Sequence, residues 1–141
     1  MLLQRLKKIY IQILNKKVFL LGNIRILGKL PYFKIPRNGI VEFGNNVVLN
    51  SDFKNTNTAL TYRCKFVTGY EGKIFVGDNT MFNGVCVVSY EEIRIGKNCQ
   101  IASSTIISDT NFHPVDPLER ERQVTGAEFS FSSVKNQKIK I

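Results

Sequence analysis

Apolar residues recur at helical spacing at the beginning of the chain. One stripe is formed by Leu2, Leu6, Ile9 and Ile13, with Leu3, Tyr10 and Leu14 beside it, and the opposite side carries Gln4, Lys8, Gln12, Asn15 and Lys16. This spacing predicts an amphipathic helix over residues 2–17. We expect its apolar stripe to cap the first layer of the domain that follows. The alternative is that the basic helix lies on an anionic membrane surface.

From about residue 40 the apolar positions follow a period of six residues. Three segments share the order apolar, Gly, polar, Asn, at residues 41–47, 74–80 and 94–99. Counting six residues from the apolar position before each Gly leads to further apolar residues: Phe43 to Leu49, Val76 to Phe82 to Val88, and Ile95 to Ile101 to Ile107. Such a period is typical of short β-strands that bury their apolar side chains by stacking coil upon coil. The sequence therefore predicts an all-β solenoid.

The residues between these apolar positions suit tight corners. Gly and Asn tolerate the left-handed backbone that a corner between two short strands requires. Small or β-branched side chains stand four residues after most of the apolar starts, at Val47, Thr80, Cys86, Cys99 and Thr105. A compact inward position suits cysteine as a small apolar residue, so we interpret Cys86 and Cys99 as structural. Cys64 is left without an assignment.

The repeat divides the chain into two parts. We assign residues 1–22 to the N-terminal amphipathic helix and cap, and residues 23–141 to the solenoid domain. The first two repeats lie further apart than the second and third, and the polar segment 54–63 fills that gap as a loop. A second loop is expected near residues 114–138.

The formal net charge of +9 is concentrated at the N-terminus. Residues 1–38 hold nine Lys or Arg and no acidic residue, so the rest of the chain is neutral, which argues against a nucleic-acid-binding face across the fold. The three cysteines fit neither paired disulfides nor a zinc or redox site, and no segment matches a membrane span or a signal peptide. We therefore expect a cytoplasmic protein, with peripheral membrane contact through the basic helix left open.

Two further polar positions link the repeat to a known protein family. Asn83 stands seven residues after the hexad start Val76, and His113, followed by Pro114, comes where residues 108–112 leave the repeat. The chain from about residue 40 to 141 resembles the hexapeptide-repeat acyltransferases, in particular the maltose and galactoside O-acetyltransferases and their relatives in surface-polysaccharide biosynthesis. The resemblance implies a left-handed parallel β-helix of triangular section and a homotrimer with active sites between neighbouring subunits. It also implies acetyl transfer from acetyl-CoA to a hydroxyl of a sugar, sugar nucleotide or polysaccharide.

Roles for individual residues follow from the same resemblance. A sugar hydroxyl is a weak nucleophile near neutral pH, and the general base that takes its proton would be His113, the chain's one histidine. Asn83 would hydrogen-bond the acceptor, and Asp109 or Asn111 would orient the imidazole. Arg120, with Arg122 beside it, would reach a phosphate or an acidic sugar. No metal ion is expected.

The end of the chain leaves alternatives open. Ile139 and Ile141 resemble the opening of a further coil, and in the resembled family the coils that line the acetyl-CoA channel would lie beyond Ile141. We therefore leave the acetyl-CoA-binding residues unassigned and expect a C-terminally truncated chain, active or inactive on its own. An N-acetyltransferase acting on an amino sugar or serine and a truncated solenoid without activity are the alternatives. A single histidine argues against a carbonic anhydrase of this fold, whose zinc needs about three.

Overall fold

The structure, a computed structural model, describes residues 2–36, 38–57, 59–128 and 131–141. Helix α1 (Leu2–Leu14) precedes the strands, and helix α2 (Pro117–Thr125) and a 3-10 turn (Phe131–Ser133) come before the last strand. The strands are β1 (Val18–Leu20), β2 (Ile24–Gly28), β3 (Tyr32–Lys34), β4 (Ile40–Phe43), β5 (Val47–Ser51), β6 (Lys65–Thr68), β7 (Lys73–Val76), β8 (Met81–Asn83), β9 (Cys86–Ser89), β10 (Glu92–Ile95), β11 (Gln100–Ile101), β12 (Ile106–Ser108) and β13 (Ile139–Lys140).

Strands three apart in the chain pair in parallel and form three sheets. Sheet A contains β1, β4, β7, β10 and β13, sheet B contains β2, β5, β8 and β11, and sheet C contains β3, β6, β9 and β12. The chain thus visits the three sheets in turn, and each coil adds one strand to each sheet. This is a left-handed parallel β-helix preceded by a helix, so the predicted fold class is confirmed.

The hexad positions of sheets A and B stack as predicted in the core of the solenoid. Phe43 is in register with Val76, and Val76 with Ile95, while Leu49 and Phe82 are paired in sheet B. Phe66 of sheet C lies between the other two phenylalanines, with ring centroids 5.0 Å from Phe43 and 5.5 Å from Phe82. All three rings are fully buried. Each such burial stabilises the fold by about 2–3 kcal/mol, so these rings tie successive coils together.

In sheet C the core position is one residue away from the prediction. Val87, not Val88, is in register with Phe66 and Ile107, and it is fully buried. The cause is the corner at Gly84 (φ 56°), since the step from Phe82 to Val87 is one residue shorter than the equivalent step from Ile101 to Ile107 in the next coil. The inward position before β9 therefore belongs to Val85. Cys86 is half-buried on the outer side, contrary to prediction, whereas Cys99 packs against the core as predicted.

The asparagines of the three repeat segments occupy equivalent corners. Asn46, Asn79 and Asn98 have left-handed backbones with φ of 55°, 57° and 60°. Their side chains form a ladder, in which Asn46 Nδ2 donates to Asn79 Oδ1 (3.0 Å) and Asn79 Nδ2 donates to Asn98 Oδ1 (3.1 Å). Next to this ladder, a Cβ on Gly77 would lie 2.6 Å from the carbonyl carbon of Gly96, so the coils approach too closely for a larger residue. The prediction of Gly and Asn corners is confirmed.

Residues 139–141 extend sheet A, as predicted for the opening of a further coil. Ile139 is in register with Ile93 and packs against the core. Ile141 N donates to the carbonyl of Arg94 (2.9 Å), and Gly96 N donates to the carbonyl of Ile141 (2.8 Å), so the backbone of Ile141 continues the ladder. Its side chain differs from the buried Ile95 beside it, because it is 51% exposed. Ile141 is therefore paired along the sheet without being a core residue.

Helix α1 turns its polar side toward the solenoid, which corrects the prediction that its apolar stripe caps the first layer. β2 is the outermost strand of sheet B, so backbone groups along its outer edge need partners. Gln4 Nε2 donates to the carbonyl of Ile26, and Ile26 N donates to Gln4 Oε1, both at 2.9 Å. Lys7 Nζ donates to the carbonyls of Ile26 and Gly28. Apolar side chains cannot satisfy this edge, so the stripe faces outward.

The solenoid begins before residue 23, the predicted boundary. β1 already pairs with β4, and Val18 is buried in the core, so residues 18–22 belong to the first coil and not to the cap. β1 could not be predicted from the sequence because no Gly-polar-Asn corner follows it. The predicted loop near 54–63 lies between β5 and β6, and the one near 114–138 contains α2 and the 3-10 turn. No helix in the described part of the chain has the length and apolar character to cross a membrane.

Candidate functional site

After β12 the chain leaves the solenoid in a loop that is anchored by Asp109. This residue is 4% exposed. Its carboxylate accepts hydrogen bonds from Ser89 Oγ (2.8 Å) and from the backbone N–H groups of Tyr90 (2.6 Å) and Glu91 (3.0 Å). Both oxygens are therefore engaged with the corner between β9 and β10. Asp109 was one of the two residues predicted to orient the imidazole of His113. The structure places it instead at the base of the loop, where its carboxylate is bonded to Ser89, Tyr90 and Glu91.

The far end of the loop returns alongside its beginning. Thr110 and Asn136 form an antiparallel bridge, Asn111 N donates to the carbonyl of Lys135 (3.1 Å), and Gln137 N donates to the carbonyl of Asp109 (2.9 Å). Asn111 thus contributes its backbone to the loop, and its side chain is exposed. The contact between the Asn111 side chain and the imidazole that the resemblance suggested is not formed.

A sharp turn at Phe112 sets the direction of His113. Phe112 has a left-handed backbone (φ 58°), which is uncommon for a bulky aromatic residue and costs conformational energy. Its N–H donates to Thr110 Oγ1 (3.1 Å), and its ring meets Tyr90 edge to face with the centroids 6.2 Å apart. These two contacts hold the strained turn. His113 is consequently exposed at the tip of the loop.

The imidazole of His113 is held by Gln123. Nδ1 lies 2.7 Å from Gln123 Oε1. An amide oxygen only accepts hydrogen bonds, so Nδ1 donates in this contact, and in the neutral ring the lone pair is then on Nε2. Within the described residues, Nε2 has no hydrogen-bond partner. The arrangement therefore presents an oriented, solvent-facing nitrogen that can take up a proton.

Helix α2 supplies Gln123, is capped at both ends and contacts the residue that follows His113. Asp116 caps its first turn by accepting from Glu119 N (3.0 Å), Pro117 starts the helix, and Gly126 (φ 75°) ends it. Arg120 Nε donates to the carbonyl of Pro114 (3.1 Å), which braces the helix against the residue that follows His113. Arg120 thus has a structural contact, and its predicted role toward a phosphate or acidic sugar stays a prediction. Arg122 pairs with Glu119.

Asn83 lies on sheet B in register with Asn50 of the preceding coil. Asn50 Nδ2 donates to Asn83 Oδ1 (3.0 Å), and Asn83 Nδ2 donates to the carbonyl of Ile101 (3.3 Å). Beneath them, Cys64 is fully buried and its thiol donates to the carbonyl of Asn50 (3.3 Å). Burial raises the pKa of the Cys64 thiol, so it stays protonated and acts as a donor. This explains the cysteine that had no place in the repeat.

An open cleft of about 540 Å³ lies over this pair of asparagines. The described residues of its lining carry no charge and are rich in amides and hydroxyls: Asn50, Asn55, Thr56, Asn57, Met81, Asn83, Gln100, Ala102 and Ser103. The wall above sheet B is the turn after β5, in which the Asp52 carboxylate accepts from Asn55 Nδ2 (2.7 Å) and from Lys54 N (3.1 Å). These hydrogen bonds lower the pKa of Asp52 and keep the turn folded. Neutral donors and acceptors of this kind suit a ligand rich in hydroxyl groups.

One chain does not bring Asn83 and His113 together. Asn83 is on sheet B, and His113 is on the loop that follows β12 of sheet C. His113 does not line the cleft, and no hydrogen bond links the two groups among the described residues. Asn83 thus belongs to sheet B, whereas the loop that carries His113 leaves the solenoid between a strand of sheet C and a strand of sheet A.

Two residues of these sites were missed by sequence reasoning. Gln123 lies ten residues after His113, in a segment that was predicted as loop. The order Asp-Pro at 116–117, with Gly126 beyond, is a helix start and stop that would have indicated α2. Asn50 stands seven residues after Phe43, the same repeat position that Asn83 has after Val76, so the repeat itself pointed to it.

The geometry provides an imidazole oriented by Gln123 and, separately, a cleft compatible with hydroxyl groups. Within residues 2–36, 38–57, 59–128 and 131–141, no group of three or more His, Cys, Asp or Glu side chains could hold a metal ion. Comparison of the chain with protein-family models, with curated proteins and with solved structures finds no significant match.

Proposed function

We propose that this protein is an acetyltransferase that moves the acetyl group of acetyl-CoA to a sugar hydroxyl. The observation that carries the proposal is the contact between His113 Nδ1 and Gln123 Oε1. It favours the neutral tautomer with the proton on Nδ1 and the basic lone pair on Nε2, on an exposed loop of a hexapeptide-repeat solenoid. The His-Pro and Asn83 positions resemble those of sugar O-acetyltransferases of this fold. We infer from that resemblance that the base serves acetyl transfer to a sugar hydroxyl.

His113 acts as the general base. As the acceptor oxygen attacks the thioester carbon, its proton passes to Nε2 of His113, and the carbonyl oxygen becomes an oxyanion. Collapse of the tetrahedral intermediate breaks the carbon–sulfur bond and forms the ester. The imidazolium then returns the proton to the departing thiolate. Gln123 supports both states, because its oxygen accepts from Nδ1–H in the neutral and in the protonated ring.

The acceptor occupies the amide-lined cleft at Asn83. The described residues of the cleft lining carry no charge, and their side chains offer several donors and acceptors for hydroxyl groups. Because His113 and Asn83 lie apart in one chain, the proposal places the site between two copies, with His113 of one protomer facing Asn83 of the next. This matches the homotrimer that the resemblance implies.

The proposal assigns no described residue to acetyl-CoA. The acyl donor supplies the activated thioester, and its phosphates need basic side chains or backbone N–H groups at their binding place. Arg120 remains the predicted candidate for a phosphate or an acidic sugar of the acceptor, and its Nε already donates to the carbonyl of Pro114. The expectation that the acetyl-CoA channel is lined by coils beyond Ile141 stays a prediction from the resemblance.

A product analysis with matched acceptors tests the reaction class. The chain is incubated with acetyl-CoA and a neutral hexose, glucosamine or serine, and thiol release is followed together with the acetylated product. We expect hexose-dependent thiol release and a product that hydroxylamine cleaves, as it cleaves esters but not amides. Acetylation of the amine acceptors alone would contradict the proposal in favour of N-acetylation. An absence of thiol release with every acceptor would contradict it in favour of a solenoid without this activity.

A further inference from the structure

Helix α1 is hydrogen-bonded to the solenoid on one side and exposes an apolar surface on the other. Seven large apolar side chains of α1 are between 43% and 72% exposed: Leu2, Leu3, Leu6, Ile9, Tyr10, Ile13 and Leu14. At helical spacing they form one continuous face. A contiguous exposed apolar face of this kind marks an interaction surface. We call it the outer face of α1.

The polar side of the same helix is committed to the solenoid. The amide of Gln4 replaces a neighbouring strand along the edge of β2, Lys7 reaches two carbonyls of that strand, and Lys8 Nζ donates to Asn23 Oδ1 (2.7 Å). Only Ile11 among the described helix residues is buried. Rotating α1 to hide its outer face would break these contacts and expose the edge of β2. The orientation of the outer face is therefore built into the fold.

The helix and the first coil carry charge of one sign. No acidic residue occurs before Glu42, and Arg5, Lys16, Lys17 and Arg25 are exposed in the first coil and the helix. None of these four bases forms an ion pair with another described residue. A second copy docked symmetrically on the same face would bring these bases together without a neutralising acid. An anionic surface complements them, and each basic side chain near such a surface adds to the attraction.

The length of the helix favours a position in the plane of a membrane surface. Its 13 residues span about 20 Å, which is shorter than the hydrocarbon core of about 30 Å. A helix with an apolar face and basic flanks of this length lies at the boundary between headgroups and acyl chains. We propose that the outer face of α1 docks the first coil of the solenoid on an anionic lipid bilayer.

Vesicle binding with a single-tryptophan reporter tests this proposal. The chain has no tryptophan, so Leu6→Trp places one fluorophore on the outer face, and Leu118→Trp places one at the exposed position on α2 as a matched control. On vesicles of phosphatidylcholine with phosphatidylglycerol we expect the emission of Leu6→Trp to shift to shorter wavelength and that of Leu118→Trp to stay unchanged. On phosphatidylcholine alone the shift should be much weaker, and about 0.5 M salt should reduce it on the anionic vesicles.

Two unlabelled variants separate the apolar face from the charge. Leu6→Gln with Ile13→Gln should lower sedimentation with anionic vesicles about ten-fold or more, and Lys16→Glu with Lys17→Glu should lower it similarly. Leu118→Gln with Val124→Gln, which removes two exposed apolar side chains from α2, should leave binding unchanged. Equal binding of Leu6→Gln/Ile13→Gln and the parent chain would overturn the proposal. So would self-association without vesicles that Leu6→Gln/Ile13→Gln abolishes, because a second copy would then cover the face.

Discussion

Near His113, two polar side chains have separate roles. Asp109 is buried, and its two carboxylate oxygens are engaged by Ser89, Tyr90 and Glu91, so it holds the loop to the solenoid. Gln123 reaches the imidazole from α2 and selects its tautomer. A carboxylate close to a histidine in sequence is an obvious candidate for orienting it. Here the fold uses that carboxylate as an anchor, and a neutral amide from the helix orients the ring.

Replacing Asp109 should therefore affect stability and not the chemistry. Asp109→Ala leaves two backbone N–H groups and a hydroxyl without their partner, which costs about 3 kcal/mol. We expect the Tm to fall by about 10 °C. Asp116→Ala, which removes an exposed carboxylate that caps α2, should cost only about 1 kcal/mol. A kcat for Asp109→Ala that falls about 100-fold, the scale of a lost general acid or base, at a temperature where the variant is folded would contradict this assignment.

The contact between Gln123 and His113 can be probed by pH. Gln123→Glu keeps the shape of the side chain but places a negative charge beside the ring, which favours the protonated imidazolium. More base is then needed to free Nε2, so the acidic limb of the pH–activity profile should move up by about one pH unit. Gln123→Leu should lower kcat without moving the limb upward. An identical pH–activity profile for Gln123→Glu and the parent chain would contradict the assignment of Gln123 as the partner of His113.

Among the elements, the corners of the coils combine two stabilising features. The asparagines at 46, 79 and 98 adopt a left-handed backbone that other side chains resist, and their amides bond from coil to coil. The conformation and the ladder thus reinforce each other. Lys97 adds an exposed ion pair to Asp78 at the same corner (2.8 Å), which raises the pKa of Lys97 and lowers that of Asp78. In a well-hydrated position such a pair adds little stability.

Two substitutions at Asn79 separate the backbone from the ladder. Asn79→Ala loses both ladder bonds and forces a Cβ-bearing residue without local hydrogen bonding into φ 57°, for a total of about 2 kcal/mol in the free energy of unfolding. Asn79→Gly loses the same bonds but tolerates the conformation, so its loss should be about 1 kcal/mol smaller. Urea denaturation measures both. Equal losses for the two variants would mean that the left-handed conformation contributes nothing to the choice of Asn.

The elements also show how far the sequence could predict this structure. Phe43, Val76 and Ile95 mark the coils because burial and corner chemistry repeat with the chain, so the fold class was predictable. The register at Val87 was not, since a corner with Gly84 can lose one residue without changing the apolar pattern. The orientation of α1 was not predictable either. Periodicity identifies an apolar face, but only the position of the unpaired edge of β2 decides that the polar side turns inward.

The sequence predicted the individual residues of the candidate site better than the contacts that those residues make. His113 and Asn83 follow from the repeat frame and the resemblance, and the structure places them on an exposed loop tip and in a polar cleft. The partner of His113 lies on α2, and the distance between those two groups depends on how the loop folds back. No pattern in one dimension encodes that. Whether His113 and Asn83 act together depends on a second copy of the chain.

At the scale of the whole molecule, the proposed site between two copies predicts complementation between two defective chains. His113→Ala and Asn83→Ala are coexpressed with different tags, and trimers that contain both are isolated with the two tags in sequence. In such a ring about one site in three combines an intact His113 with an intact Asn83 of the neighbour. We expect about a third of the parent kcat/KM from these trimers, because each ring of three heterologous interfaces holds one intact site. Activity no higher than that of either variant alone would contradict a site shared between copies.

The most direct test of the central claim is the turnover of His113 variants at saturating acetyl-CoA and hexose. His113→Ala removes the base, and His113→Asn keeps a donor for Gln123 but cannot take up a proton. Position 113 is exposed and outside the core, so circular dichroism and Tm should match those of the parent chain. We predict that kcat falls by about 10²–10⁴-fold in both variants, the range that general-base catalysis contributes. Near-normal turnover in folded His113→Ala would contradict the account.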